Sequence, residues 1–216
     1  MQHPLLDQIA QAFVVDPAVA PAAVLGLARR SDPGSVQSTG GWCVYTGAAG
    51  STGRARTTID TVFDLASVSK PFLAVLVTRL ARQGNVAFET HLGALLSEAR
   101  GTPSQGAPIE ALLAHRAGLE AHLRLFAPLE MRLPVRRSRA LERAARSLRP
   151  DCRHLAPSAE YPPVYSDMGY LLVGAALERH TGTALDALFH DQIFAPLALE
   201  MGSARQWLAR GGFKHR

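Results

Sequence analysis

The segment Thr58–Gly84, TIDTVFDLASVSKPFLAVLVTRLARQG, decides how the rest of the chain is read. Apolar residues at Phe72, Leu73, Leu76, Val77 and Leu80 keep the spacing of one helix face. Pro71 fits only the first turn, where its missing N–H leaves no bond unmade. Gly84-Asn85 supplies the C-terminal stop. The helix therefore opens near Ser67 to Ser69. Ser67 stands at the positive end of its dipole, and Lys70 follows about one turn later on the same side.

A hydroxyl at a helix mouth with an amine one turn on is the layout of an activated serine nucleophile. A serine in that place can equally be no more than an N-cap, and S-x-x-K alone is a common spacing. Composition sharpens the choice. Of the 23 basic side chains only two, Lys70 and Lys214, are lysines. Had position 70 needed only a surface charge, this sequence would ordinarily have supplied arginine. Arginine keeps its proton, whereas a desolvated lysine can act as a base.

A chain of 216 residues makes one domain, or two intimately packed lobes, and its 47% hydrophobic content is ample for a core. No apolar run reaches membrane-spanning length. The N-terminal stretch lacks the basic start and unbroken apolar run of a signal peptide and reads as an amphipathic helix carrying Leu5, Leu6, Ile9 and Phe13. A cytoplasmic protein is expected, or a periplasmic one if the true start lies upstream. Cys43 and Cys152 stand too far apart for metal-type spacing and read as free thiols. No metal or cofactor is expected.

The net charge of +5 is local. Between Arg124 and Arg153, nine arginines face only Glu130, Glu142 and Asp151. The segment has few aromatics to stack bases and no DNA-binding motif, so nucleic acid is not expected as a partner. A solvated helix face over Val135–Leu148 is the plainer reading; an anion-attracting flap is the alternative.

Elsewhere, Ala22–Arg30 reads as a strand, Ser31–Gly34 as a turn and Gly41–Thr46 as the hairpin partner. Gly47–Gly53 reads as turn-rich. Ala87–Ser97 reads as a short segment against the core. Pro108–Ala117 reads as a short helix stopped by Gly118, and Leu155–Pro163 as a proline-broken approach to a second motif, Tyr165-Ser166-Asp167. Helices are expected over about Ser166–Thr181 and Thr183–Phe194. A tyrosine just before a helix start can reach a site built on another helix start and relay a proton. It can also be a half-buried aromatic beside a Ser166 or Asp167 cap.

Four stretches then occur in order: FDLASVSK at Phe63–Lys70, IEALLAHRAGL at Ile109–Leu119, VYSDMGYLLVGAALE at Val164–Glu178 and IFAPLALE at Ile193–Glu200. Together the chain resembles the serine β-lactamase-like family, which includes class C β-lactamases, D-alanyl-D-alanine carboxypeptidases and related esterases. The resemblance covers roughly Pro4 to Gly202, with residues 58–202 carrying the motifs. It implies an α+β, β-lactamase/transpeptidase-like fold: a sheet flanked by helices beside a mostly helical lobe. It also implies a serine hydrolase that acts on a small ester or amide, β-lactam-like or otherwise, through an acyl-enzyme. Ser67 would be acylated, Lys70 and Tyr165 would take and return the proton, and Asp167 would face the substrate. Asparagine is frequent at the position of Asp167, so a carboxylate there argues against efficient β-lactam hydrolysis. His115 matches a position of architectural role. Arg116-Ala117 and Ala198 depart from the family pattern without touching the chemistry.

Family members also carry a K-T-G or H-T-G triad on a later strand, which completes the groove and the oxyanion hole. His180-Thr181-Gly182 closes a helical run and is not that triad. After Gly202 only SARQWLARGGFKHR remains. The chain thus reads as the N-terminal part of such a hydrolase, with C-terminal strands of the sheet missing. An inactive truncated remnant is the first alternative and a basic interaction protein the second. An unpaired sheet edge would favour self-association.

Overall fold

The computed structural model describes residues 2–30, 42–52, 55–153 and 161–210. The expected turn at Ser31–Gly34 and most of the approach Leu155–Pro163 lie outside them. By contacts the chain divides into two compact units, Met1–Asp64 with Trp207–Arg216, and Leu65–Gln206.

In the first unit, α1 (Pro4–Ala10) precedes strands β1 (Ala22–Arg30), β2 (Trp42–Thr52) and β3 (Ala55–Arg56). The strands form an antiparallel sheet in that order, with Leu25 opposite Gly47. Helix α1 is tied to β2 at two points: His3 N–H donates to the Thr46 carbonyl at 2.8 Å, and Ala48 N–H donates to Asp7 Oδ1 at 2.7 Å. The structure corrects the turn-rich reading of Gly47–Gly53, because β2 runs on to Thr52. Its glycines serve close approach instead of a break. A Cβ on Gly47 would sit 2.5 Å from the Leu6 backbone, and Gly50 takes φ +82° inside the strand.

The expected apolar stripe on the first helix is also cut short. Leu6 and Ile9 are half-buried, but Leu5 and Phe13 are exposed. At Gln11 the α-helix gives way to a wider π-helical turn, Gln11–Val15, whose Asp16 N–H reaches back to the Gln11 carbonyl. The changed residues-per-turn carries Phe13 off the stripe.

The second unit is helical. Helix α2 (Ser69–Arg82) is followed by α3 (Leu92–Leu95), α4 (Ile109–Leu113), α5 (Ala127–Glu130), α6 (Arg137–Ala145), α7 (Asp167–Thr181) and α8 (Leu185–Phe189); α9 (Ala204–Ala209) straddles its end. Helix α2 buries Leu73, Leu76, Val77 and Leu80, and Gly84 ends it at φ +75°. Helix α7 is the central element. It touches α2, α3, α4, α6 and α8, and it is buried at Met168, Gly169, Leu172, Val173, Gly174, Ala175, Ala176 and Leu177. The small residues let neighbouring helices come close. A Cβ on Gly169 would lie 2.7 Å from the Leu112 carbonyl oxygen of α4. His180 and Thr181 close α7, and Gly182 caps it at φ +69°. The HTG string is thus a helix terminus and no strand motif. Among the described residues no helix is long and apolar enough to cross a membrane.

Helix α4 ends at Leu113, before the expected Ala117, because His115 takes φ +59°. That conformation is uncommon for a non-glycine residue. It is held from outside: the His115 carbonyl accepts Val164 N–H at 3.1 Å and His115 Nδ1 accepts Ser166 N–H at 3.0 Å. The imidazole must be neutral to accept at Nδ1. Burial, with the nearby Lys70 charge, holds its pKa below the ordinary value. His115 thereby clamps the backbone on both sides of Tyr165.

The close approach at Gly169 predicts that Gly169→Ala loses about 1–3 kcal/mol of stability in urea denaturation; a variant as stable as the parent would show that α4 and α7 have slack. The clamp predicts a pH signature. A depressed histidine pKa contributes stability above the unfolded value of about 6.5, lost as pH falls through the folded value. The parent should therefore lose thermal stability below about pH 6.5, and His115→Asn, which tolerates positive φ and can still accept from Ser166, should flatten part of that loss. Identical pH curves for the two would contradict the clamp.

Candidate active site

The site is built where the first turns of α2 and α7 meet within the second unit. Ahead of α2, Leu65 leads into a 3-10 turn at Ala66–Val68. Ala66 takes φ +45°, a left-handed conformation that a side chain makes costly. The turn is fixed locally by Val68 N–H on the Leu65 carbonyl at 2.9 Å and by Ser69 Oγ on the Ala66 carbonyl at 2.6 Å. Ser67 lies inside this turn and is exposed. Its hydroxyl makes no cap bond for either helix. The N-cap role that its position allowed is therefore unused, and the hydroxyl is left for other partners.

Those partners come from one turn along α2 and from the residue before α7. Lys70 Nζ donates to Ser67 Oγ at 3.2 Å, and Tyr165 OH lies 2.6 Å from the same oxygen. Lys70 Nζ also donates to Asp167 Oδ1 at 2.7 Å. It stands 4.8 Å from the Tyr165 ring centroid and 5.8 Å from that of Tyr170. The Lys70 side chain is only 14% exposed, against 40% for Asp167. The four residues singled out from sequence, Ser67, Lys70, Tyr165 and Asp167, thus meet in one cluster.

The local sequence explains why α7 presents these groups. Ser166 is its N-cap, accepting Met168 N–H at 3.2 Å, while its hydroxyl donates to the Glu120 carbonyl at 2.6 Å. Asp167 N–H donates to the Ala121 carbonyl at 2.9 Å. With His115 holding Val164 and Ser166, the backbone around Tyr165 is fastened on every side. The His115 ring also packs 4.7 Å from the Tyr165 ring and 5.2 Å from that of Tyr170.

The charges follow from these contacts. Burial disfavours the Lys70 ammonium, but the hydrogen bonds and charges of Asp167 and Tyr165 outweigh it, and its pKa rises. The sequence reading was of a desolvated lysine able to act as a base; the paired carboxylate favours the charged amine instead. Tyr165 moves the other way. Hydrogen bonding to Lys70, then to Ser67, pulls its phenol below the ordinary value, with the Asp167 charge opposing. Lys70, against the cost of burial, and then His122 hold the Asp167 carboxyl low.

Sequence reasoning did not single out two members of this cluster. His122 Nδ1 lies 3.2 Å from Asp167 Oδ2, and Tyr170 OH donates to the Leu113 carbonyl at 2.9 Å. Tyr170, one turn from Asp167 on the same helix, could have been found by helical spacing; His122 sits in a loop and gives no periodic signal. Among the described residues no group of histidine, cysteine, aspartate and glutamate side chains converges to hold a metal ion.

Comparison with known proteins identifies the family and the fold. A profile of the Beta-lactamase family matches residues 21–209. Among solved structures, a class C β-lactamase from Rhodobacter sphaeroides superposes with a TM-score of 0.65 at 20% identity, over 96% of this chain and 53% of that one. A β-lactamase/D-alanine carboxypeptidase from Pseudomonas syringae gives 0.66 at 18%, over 95% and 53%. An octameric penicillin-binding protein homologue from Pyrococcus abyssi gives 0.64 at 17%, over 86% and 41%. The chain thus spans about half the length, or less, of the structures it matches. The fold is α+β and β-lactamase/transpeptidase-like. Because the family match and the shared fold run across most of the same residues, this chain belongs to the Beta-lactamase family.

Proposed function

We propose that the protein is a serine hydrolase that forms an acyl-enzyme on Ser67 with a small ester or amide. The observation that carries this is the 2.6 Å contact between Ser67 Oγ and a Tyr165 phenol whose pKa is drawn down beside Lys70. In the reactive form the phenol is ionised and the Ser67 hydroxyl donates to it. Tyr165 takes that proton as Ser67 Oγ bonds to the substrate carbonyl carbon. When the carbonyl–leaving-group bond breaks, Tyr165 returns the proton to the departing alcohol or amine. Water then reverses the sequence at the ester and frees the acid. Lys70, kept charged by Asp167, acts here as the cation that stabilises the phenolate. This assigns the base role to Tyr165 and narrows that of Lys70.

The relatives of known structure include a β-lactamase/D-alanine carboxypeptidase, which fits an amide or ester carbonyl as the point of attack. The Asp167 carboxylate, 40% exposed beside the nucleophile, disfavours substrates with an anionic group at that spot. The octameric relative fits self-association as part of the same proposal.

Treatment of the 216-residue chain with a fluorophosphonate should add one label, mapped by mass spectrometry to Ser67 and absent in Ser67→Ala. Tyr165→Phe should slow labelling by roughly 10²–10⁴-fold while leaving thermal unfolding unchanged. An inactive remnant would give no adduct at Ser67, and label at another residue would also refute the assignment. The pH profile carries a second expectation. Labelling should rise as Tyr165 ionises, below the ordinary tyrosine range, and fall as Lys70 loses its proton. Asp167 raises both pKa values. Asp167→Asn should therefore move both limbs to lower pH; limbs that stay put or move to higher pH would contradict the charge assignment.

A further inference from the structure

The arginine-rich segment has a structure that the hydrolase reading does not use. Its last part is α6, which buries Leu141, Ala144 and Ala145 against the core. Its first part, around α5, does the reverse. Phe126, Leu129, Met131, Leu133 and Val135 are all exposed, with Leu129 at 59% and Met131 at 66%. So many large apolar side chains in ten residues is a patch, not scattered exposure.

The same surface is positively charged, and its charge is unspent. A concavity of about 270 Å³ is lined by Leu125, Pro128, Leu133 and Val135 on its apolar side and by Arg136, at the N-cap of α6, with Arg139 and Arg143 along that helix. The nearby acids are already taken: Glu130 by Arg124, Glu142 by Arg146 and Glu178 by Arg137. Arg136, Arg139 and Arg143 have no ion-pair partner among the described residues.

We infer that this surface docks on an anionic lipid bilayer, with the apolar side chains around α5 entering the interface and Arg136, Arg139 and Arg143 meeting lipid phosphates. Charge and shape both favour this occupant. A small soluble anion would fill the concavity but leave Phe126, Leu129 and Met131 in water. A nucleic acid would use the arginines but gain little from aliphatic Leu129 and Met131. A bilayer surface satisfies both sets, because interfacial binding draws on buried apolar area and on basic residues together. No span is involved, and the chemistry at Ser67 is not required.

The test is flotation of the whole chain with vesicles of phosphatidylcholine alone and of phosphatidylcholine with phosphatidylglycerol. The parent should bind the anionic vesicles, bind the neutral ones far less, and release partly as salt is raised. At roughly fivefold per arginine, Arg136→Gln, Arg139→Gln and Arg143→Gln together should weaken binding about a hundredfold. Leu129→Ser with Met131→Ser should weaken it about tenfold or more while leaving the salt dependence in place. All five positions are exposed and outside the core, and circular dichroism checks that the variants fold. No binding, or equal binding to both vesicles, would overturn the inference. So would full affinity in the Leu129/Met131 variant, since the arginines would then be a general polyanion site, with RNA binding as its counterpart measurement.

Discussion

The ion pair between Lys70 and Asp167 is the interaction on which the site depends. It joins the first turns of α2 and α7 at 2.7 Å, although the residues lie 97 positions apart in sequence. Packing brings the helices together and the ion pair sets their ends. Gly169 lets α4 approach α7, and the buried faces of α2 and α7 share one core. Removing Asp167 would leave the mostly buried Lys70 ammonium without its carboxylate, which is costly. Here the pairing does more than hold. It keeps a positive charge beside the Tyr165 ring, and that charge draws the phenol toward ionisation next to Ser67.

The backbone around this pair is arranged for placement over ease. Ala66 and His115 both take positive φ, the one just before Ser67 and the other where the chain must turn back toward Tyr165. Neither is a glycine, so each conformation has a cost that surrounding bonds must offset. At His115 those bonds are visible, one from its carbonyl and one from its ring. The histidine is a positioning residue: it accepts at its carbonyl and at Nδ1 and so holds the backbone on both sides of Tyr165.

What was legible in the sequence was what repeats locally or caps an end. The opening of α2 near Ser67–Ser69, its buried stripe and its Gly84 stop followed from spacing and turn chemistry. So did α7, with its Ser166 cap and Gly182 terminus. The resemblance of four ordered motifs carried the family. Two kinds of feature were not legible. Gly47–Gly53 read as turn-rich, since nothing local says that a helix will press against Gly47. The partner of Lys70 was also not legible: the residue read as a desolvated lysine able to act as a base, and the distant Asp167 favours its charged form. His122, held to the same carboxylate, was invisible for the same reason. Long-range pairing of charges has no period.

The chemistry proposed at Ser67 turns on the ionisation of Tyr165, and tyrosine ring-carbon NMR reads that directly. With the tyrosines labelled at Cζ, the resonance of Tyr165 should titrate at lower pH than those of Tyr161 and Tyr170, whose phenols burial pushes up. Lys70→Met should return Tyr165 toward the ordinary tyrosine value. A Tyr165 resonance that titrates together with Tyr161, or that is indifferent to the loss of Lys70, would contradict the account.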